Sequence, residues 1–172
     1  MSTEHASTGA TPNTDFHREG GCACGHVRYR MQAAPMIVHA CHCRWCQRET
    51  GSAFVINALI EAVHVPLLQG EVELVDTPSA SGRGQKIARC PRCRIALWSH
   101  YPRGGPAVCF VRVGTLDDPD ACPPDVHIYT DSKQPWLSLP DGARAYAELY
   151  DVPSVWPTSS LQRMAALRGP AT

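Results

Sequence analysis

The chain has 172 residues, 44% of them hydrophobic, and its 16 Lys and Arg residues balance 16 Asp and Glu residues. This length fits one domain, and the balanced charge argues against a general nucleic-acid binder and against attachment to an anionic membrane surface. The sequence contains no run of about 18 apolar residues, which excludes a transmembrane helix. The first residues show neither a basic segment nor an apolar core, so no secretory signal is predicted and a cytoplasmic location is expected.

The predicted elements indicate a fold that is mainly β with a few short peripheral helices. Residues 1–18 are rich in Ser, Thr, Gly and Pro and are predicted to form a disordered tail. Alternating or short apolar runs predict strands at residues 27–31, 54–60, 71–75, 86–89, 95–100, 107–113 and 126–130. Helix signals come late, with a short helix predicted over 141–150. A second helix is predicted from Ser159 or Ser160 to Arg168, ending at Gly169.

The nine cysteines are the most informative feature of the composition. In a reducing compartment they indicate metal or redox chemistry rather than a disulfide framework. Seven of them form three clusters with metal-ligand spacing. These are Cys22 with Cys24; Cys41, Cys43 and Cys46; and Cys90 with Cys93.

The number of clustered cysteines predicts two zinc sites of different kinds. Zinc takes four ligands, and seven thiolates cannot complete two all-cysteine sites. The two pairs, Cys22 with Cys24 and Cys90 with Cys93, would close one structural site. The remaining Cys41-x-Cys43-x-x-Cys46 supplies three ligands and leaves a fourth position for water or substrate, as in catalytic zinc sites.

Two other interpretations of the three-cysteine segment stay open at this point. A fourth ligand from His42, His39, Cys109 or Cys122 would make it a second structural site. An iron–sulfur cluster is disfavoured, because the spacings match neither common ferredoxin pattern. Cys109 lies in an apolar run and is interpreted as a small buried hydrophobe, and Cys122 as a loop thiol without a role.

Several segments together resemble the glutathione-dependent formaldehyde-activating enzyme family, which includes centromere protein V. The resemblance covers about residues 20–165 and rests on motifs in the same order. They are Gly20 to Tyr29, similar to the family's GxCxCGxVxY; Cys41 to Ser52, similar to CHCxxCqrxtGs; the Cys90–Cys93 pair; Val113 to Asp118, similar to vGtLDdp; and His127 to Trp136, similar to hiyxxSkqpW. One departure is Arg94, which stands where the family usually has Gly; a Gly there commonly serves a positive φ, so its replacement suggests a slightly different turn.

The resemblance implies a small β-tent domain stapled by zinc, spanning residues 19–168. It also implies that the four-cysteine set holds structural zinc and that Cys41, Cys43 and Cys46 hold catalytic zinc. Three exposed thiolates hold a metal less securely than four buried ones, so partial occupancy of this second site is expected. The family's activity joins formaldehyde to glutathione and is classed as a carbon–sulfur lyase. The expected partners are therefore a small-molecule thiol and a carbonyl compound, while the oligomeric state stays open.

The chemistry also needs a group that moves a proton to or from the adduct oxygen. His42, His100 and His127 are the candidates, with His42 alternatively a supporting group behind the metal ligands. Arg48, Lys133 and Trp136 are candidates for contacting a small anionic substrate. The alternative functions are a zinc enzyme acting on another small electrophile without glutathione and a non-enzymatic zinc-binding module.

Overall fold

A computed structural model describes residues 16–167, which form two β-sheets with short helices around them. The strands are β1 (Arg18–Gly21), β2 (Arg28–Met31), β3 (Ile37–Cys41), β4 (Val55–Glu61), β5 (Leu67–Gln69), β6 (Glu73–Thr77), β7 (Gln85–Arg89), β8 (Ala96–His100), β9 (Val108–Arg112) and β10 (Val126–Ile128). The α-helices are α1 (Arg44–Thr50), α2 (Val152–Val155) and α3 (Thr158–Ala166). Single 3₁₀ turns lie at Ala62–His64, Gly105–Ala107, Val113–Thr115, Pro119–Ala121 and Thr130–Ser132. The predicted mainly β fold with short helices is confirmed, and none of the helices in this described part has the length and apolar character needed to cross a bilayer.

The larger sheet has seven strands in the order β10-β3-β4-β9-β8-β7-β6. All neighbours in it are antiparallel except β10, which runs parallel to β3 and pairs Ile128 with Cys41. Strand β3 also pairs with β4, where Cys41 lies opposite Val55. The end of β3 is therefore fixed from both sides, and this positions the first residue of the three-cysteine segment.

The smaller sheet has the order β1-β2-β5 and carries the first cysteine pair next to the β1–β2 turn. Its inner face packs into a core with the seven-stranded sheet, where Tyr29 meets Trp98 edge to face at 5.6 Å between ring centroids. The two sheets are thus joined by apolar packing on the side where the four-cysteine set lies.

The sequence prediction misses β1, β3, β5, α1 and α2. Of these, β3 and α1 position the three-cysteine set, and their residues lack the expected pattern. Every residue of β3 is buried, so the strand shows no alternation of apolar and polar positions. Helix α1 has only seven residues and begins inside the cysteine motif, with Cys43 as its N-cap and Gly51, at φ 65°, as its C-cap. Strand β6 begins two residues later than predicted, at Glu73.

The helix predicted over residues 141–150 is wrong. This segment instead runs along β10, where the His127 N–H donates to the Arg144 carbonyl at 2.7 Å and the Tyr146 N–H donates to the His127 carbonyl at 2.9 Å. Gly142 adopts φ 75°, which breaks any helical path at its start. Pairing with a sheet edge satisfies the backbone groups that a helix would otherwise satisfy internally.

The last helix is confirmed, but its predicted start is wrong. Helix α3 begins at Thr158 after Pro157, and the Ser160 hydroxyl donates to the Met36 carbonyl at 2.7 Å instead of capping the helix. The predicted end at Arg168 and Gly169, like most of the predicted tail, lies outside the described residues. Helix α3 thereby rests on the chain just before β3, close to the three-cysteine segment.

Candidate metal centres and the adjoining cavity

The four-cysteine set joins two turns that are far apart in sequence. Cys22 and Cys24 lie between β1 and β2, Cys90 and Cys93 lie between β7 and β8, and all four Sγ atoms lie within 4.8 Å of one another. The Sγ atoms of Cys22 and Cys24 are 3.5 Å apart, and those of Cys24 and Cys90 are 3.7 Å apart. A tetrahedral zinc with Zn–S bonds of ~2.3 Å requires sulfur separations of ~3.8 Å. The donor type and the spacing therefore fit zinc.

Backbone N–H groups around the four-cysteine set contact a cysteine sulfur and close the turn that carries Cys90 and Cys93. The Val27 N–H points at the Cys22 Sγ at 3.2 Å, and the Arg94 N–H donates to the Cys90 carbonyl at 2.9 Å. Arg94 itself adopts φ 64°, a left-handed conformation that costs a non-glycine residue about 1–2 kcal/mol. Arg94 thus adopts the positive φ that a glycine would favour at this position, while its side chain pairs with Glu73 on β6.

The three-cysteine set lies where β3 passes into α1. Cys41 ends the strand, Cys43 caps the helix, and Cys46 lies in the first turn, with the Cys46 N–H 3.4 Å from the Cys43 Sγ. All three Sγ atoms lie within 4.8 Å of one another. Contacts with the Cys41 and Cys46 thiols lower the pKa of Cys43, while contacts with the Cys41 and Cys43 thiols raise the pKa of Cys46. Negative charge therefore collects on one sulfur, and a divalent cation would draw protons from the other two.

No fourth His, Cys, Asp or Glu from residues 16–167 joins this three-cysteine set. The candidates considered for closing it are engaged elsewhere or lie apart from it. The His39 Nε2 accepts from the Tyr150 hydroxyl at 2.5 Å, and burial lowers the pKa of His39 to about 4, which keeps the ring neutral. Cys109 and Cys122 are both buried in the other core. Cys109 is therefore the predicted small hydrophobe, and Cys122 lies in the loop after the Pro119–Ala121 turn.

A cavity of about 310 Å³ adjoins the three-cysteine set and includes Cys41, Cys43 and Cys46 in its wall. Most of its other lining side chains are aromatic or aliphatic. They are Trp45, Leu59, Tyr101, Val108, Phe110, Ile128, Tyr129, Leu149, Tyr150, Val152, Trp156 and Met164. Arg83 and Arg103 also line it, and both of these side chains are exposed to solvent. The three-cysteine set thus faces a space large enough for a small molecule, whereas Cys22, Cys24, Cys90 and Cys93 do not line it.

The acid–base candidates His42, His100 and His127 lie outside this cavity wall, whereas His39 lines it. His42 and His127 stack on each other, with the His42 Nε2 and the His127 Nδ1 2.9 Å apart. His42 is fully buried, and burial is the main cause that lowers its pKa to about 4. His100 is held between the Trp98 indole N–H, at 3.2 Å, and the Val108 carbonyl, at 2.8 Å. All three rings are therefore engaged by other protein groups.

The residues predicted to contact an anionic substrate lie at a different surface. Arg48 and Trp136 line a separate open depression with α1, and Trp136 is 72% exposed. The Lys133 ammonium donates to the Gln134 carbonyl at 3.1 Å. The structure does not bring these three residues to the cavity beside the cysteines.

Sequence reasoning missed several of the polar groups that line the cavity. The Tyr101 and Tyr129 side chains come from the segments after β8 and β10, and burial is the main cause that raises the pKa of both. Arg83 comes from the β6–β7 turn and Arg103 from the segment after β8. No local motif marks these positions, because each reaches the site only through the sheet order.

Comparisons with known proteins found a matching family model and several similar proteins. The model of the family described as "Glutathione-dependent formaldehyde-activating enzyme" matches residues 17–132. A Halomonas elongata protein, provisionally named as such an enzyme, is 28% identical over 132 residues, which cover 70% of this chain and 80% of that protein. A Rhodobacter sphaeroides protein of known crystal structure is 20% identical, with a TM-score of 0.42, over 58% of this chain and 87% of the other. The family match includes all seven clustered cysteines and ends before the C-terminal part of the cavity wall.

Proposed function

The chain belongs to the glutathione-dependent formaldehyde-activating enzyme family, and from that premise we propose that it is a zinc-dependent carbon–sulfur lyase. It forms or cleaves the adduct between a thiol such as glutathione and a small carbonyl compound of the formaldehyde type, in the reducing cytoplasm. The observation that carries the proposal is the three-cysteine set in the wall of a cavity of about 310 Å³. A structural zinc site that is closed by four protein ligands does not require an adjoining cavity.

Two zinc ions per chain have different roles in this proposal. Cys22, Cys24, Cys90 and Cys93 would hold the structural ion. The second ion would be held by the three cysteines at the cavity. Bound there, zinc supplies Lewis acidity that favours the thiolate form of a thiol and polarises a carbonyl oxygen.

The reaction needs no oxidant or reductant. The thiol sulfur forms a bond to the carbonyl carbon, the π pair of the carbonyl moves to its oxygen, and the thiol proton ends on that oxygen. The hydroxyls of Tyr101 and Tyr129 are suited to donating to the oxygen, because their raised pKa values keep them protonated at neutral pH. Arg83 and Arg103 at the exposed part of the cavity supply positive charge for the carboxylates of glutathione.

The predicted acid–base pair takes a supporting role in this proposal. His42 lies between two of the cysteines, and its ring is fixed by His127. The Gln47 amide donates to the His42 carbonyl at 2.6 Å and to the Ser132 carbonyl at 2.8 Å. These contacts hold the cysteine segment in place, so His42 and His127 position the metal ligands rather than exchange protons with substrate.

Exchange spectroscopy by NMR tests the function directly, because uncatalysed addition of thiols to formaldehyde is itself easy. Formaldehyde and glutathione are mixed at equilibrium, and the exchange rate between free glutathione and S-hydroxymethylglutathione is measured with zinc-loaded protein. We expect faster exchange with the wild type and with Cys122→Ser, and the uncatalysed rate with Cys43→Ser. An exchange rate that zinc-loaded wild-type protein leaves unchanged, with formaldehyde and with larger aldehydes alike, would refute the function.

A further inference from the structure

The cavity at the three-cysteine set is built from two parts of the chain. One part lies within residues 17–132, where the family model matches. The other consists of five side chains beyond that match, and these form a continuous apolar wall. The C-terminal wall comprises Leu149, Tyr150, Val152, Trp156 and Met164. The shape and polarity of the cavity therefore depend on a segment that the family match does not include.

The C-terminal wall is fixed to the sheet by several polar contacts. The Arg163 guanidinium on α3 pairs with Glu61 at the end of β4 and also donates to the Ala34 carbonyl at 2.9 Å. The Tyr150 hydroxyl accepts from the Trp156 indole N–H at 2.8 Å while donating to His39. These contacts are buried or partly buried, so the wall is preformed in the absence of any ligand.

The chemistry of this wall does not suit the smallest carbonyl compound. Formaldehyde has one carbon and one oxygen atom, which would leave most of a cavity of about 310 Å³ unfilled. The peptide groups of glutathione are equally unsuited to the C-terminal wall, because buried amides need hydrogen-bond partners. The charged partners, Arg83 and Arg103, lie instead on exposed parts of the lining. An aldehyde with an apolar body would fill the apolar part of the cavity, while the carboxylates of the thiol glutathione would face Arg83 and Arg103.

We infer that the carbonyl partner of this enzyme is an aldehyde with an apolar body, an aryl or branched-alkyl group, that packs against the C-terminal wall. The inference rests on the proposed function and specifies its substrate class. The chemistry is unchanged: the thiol sulfur bonds to the aldehyde carbon, and the thiol proton ends on the former carbonyl oxygen. Each methylene group buried against the wall would strengthen binding about fourfold.

The first test measures binding and needs no turnover. Trp45 and Trp156 line the cavity and report on its occupancy by fluorescence. The probe is 2-phenylethanol, which has the apolar body but no reactive carbonyl, with methanol as the small counterpart. We expect saturable quenching by 2-phenylethanol with zinc-loaded protein and none by methanol at the same concentration.

Leu149→Glu is the informative variant, because Leu149 is 47% exposed and a charge there tests the wall without filling the core. Leu68→Glu is the matched control, since Leu68 on β5 is 43% exposed and lies outside the cavity lining. We expect Leu149→Glu to weaken 2-phenylethanol binding about tenfold, Leu149→Met to restore it, and Leu68→Glu to leave it unchanged.

The second test compares the accelerated exchange of glutathione adducts of phenylacetaldehyde and formaldehyde. We expect the larger aldehyde to be preferred about tenfold or more by the wild type, and this ratio to fall about tenfold in Leu149→Glu. Accelerated exchange with formaldehyde alone, together with no quenching by 2-phenylethanol, would overturn the inference and leave the proposed function standing. Acceleration with neither aldehyde would refute the proposed function, and the substrate assignment with it.

Discussion

The two cysteine sets use the same donor atom in opposite surroundings. The four-cysteine set ties two turns from different sheets together and has all the ligands that zinc requires. The three-cysteine set comes from one short segment, is one ligand short, and adjoins a cavity. The ligand count therefore separates the two sets, and the cavity beside one of them indicates chemistry.

The largest effect should come from removing a ligand of the four-cysteine set. Cys22→Ser leaves three ligands in the four-cysteine set. The free energy of zinc binding then no longer stabilises the link between the β1–β2 turn and the β7–β8 turn. We expect a loss of on the order of 5 kcal/mol in unfolding free energy, because structural zinc contributes directly to folding. Circular dichroism during thermal unfolding and metal analysis measure this. Cys109→Ala, a buried cysteine outside both sets, should keep two zinc ions.

The same change in the three-cysteine set should separate activity from stability. Cys43→Ser should reduce the zinc content from two ions to one and return adduct exchange to the uncatalysed rate. The unfolding free energy should change by less than about 1 kcal/mol, because the segment is held by β4, β10 and Gln47 without the metal. If the Cys43→Ser variant unfolded cooperatively at room temperature, the claim that the three-cysteine set is not needed for the stability of the fold would be contradicted.

A buried ion pair should control whether the C-terminal wall stays on the cavity. Burial opposes ionisation of Glu61, but its hydrogen bonds with Arg163 outweigh burial and lower the pKa of the carboxyl group. A lowered folded-state pKa means that the pair's contribution is complete above the unfolded-state pKa, near ~4.3, and is lost as pH falls through the folded-state value. Trp156 fluorescence should therefore change below about pH 4 in the wild type.

Glu61→Gln should show a related loss at neutral pH. Removing one partner of a buried pair costs about 3 kcal/mol, because the other charge stays buried. Asp76→Asn breaks an exposed pair with Lys86 and should change the unfolding free energy by no more than about 0.5 kcal/mol. Urea unfolding of both variants at pH 7 provides the comparison. Equal effects of the two variants would show that the Glu61 pair does not fix the wall.

The smallest effect concerns the turn that holds Cys90 and Cys93. Arg94→Gly and Arg94→Ala both remove the ion pair with Glu73, but only the Gly variant relieves the positive φ. We expect Arg94→Gly to be about 1 kcal/mol more stable than Arg94→Ala in thermal unfolding. Equal stability of the two variants would mean that the turn is not strained at this residue.

The grouping of the cysteines into a set of four and a set of three could be predicted from the sequence, because spacing within a short turn fixes which sulfurs meet. Cys90-x-x-Cys93 needs only one tight turn, and its pairing with Cys22 and Cys24 followed from the ligand count. The cavity could not be predicted, because Arg83, Tyr101 and Trp156 approach it from segments brought together only by the sheet order. The segment 141–150 illustrates the same limit, since its helical signal was outweighed by pairing with the distant strand β10.

The central claim is that one zinc site holds the fold together while the other serves the cavity. Native mass spectrometry of the zinc-loaded chain during chelator treatment tests it most directly, with circular dichroism recorded on the same samples. The account predicts two zinc ions at first, rapid loss of one with the spectrum unchanged, and slow loss of the second together with unfolding. Simultaneous loss of both ions, or unfolding on loss of the first, would contradict it.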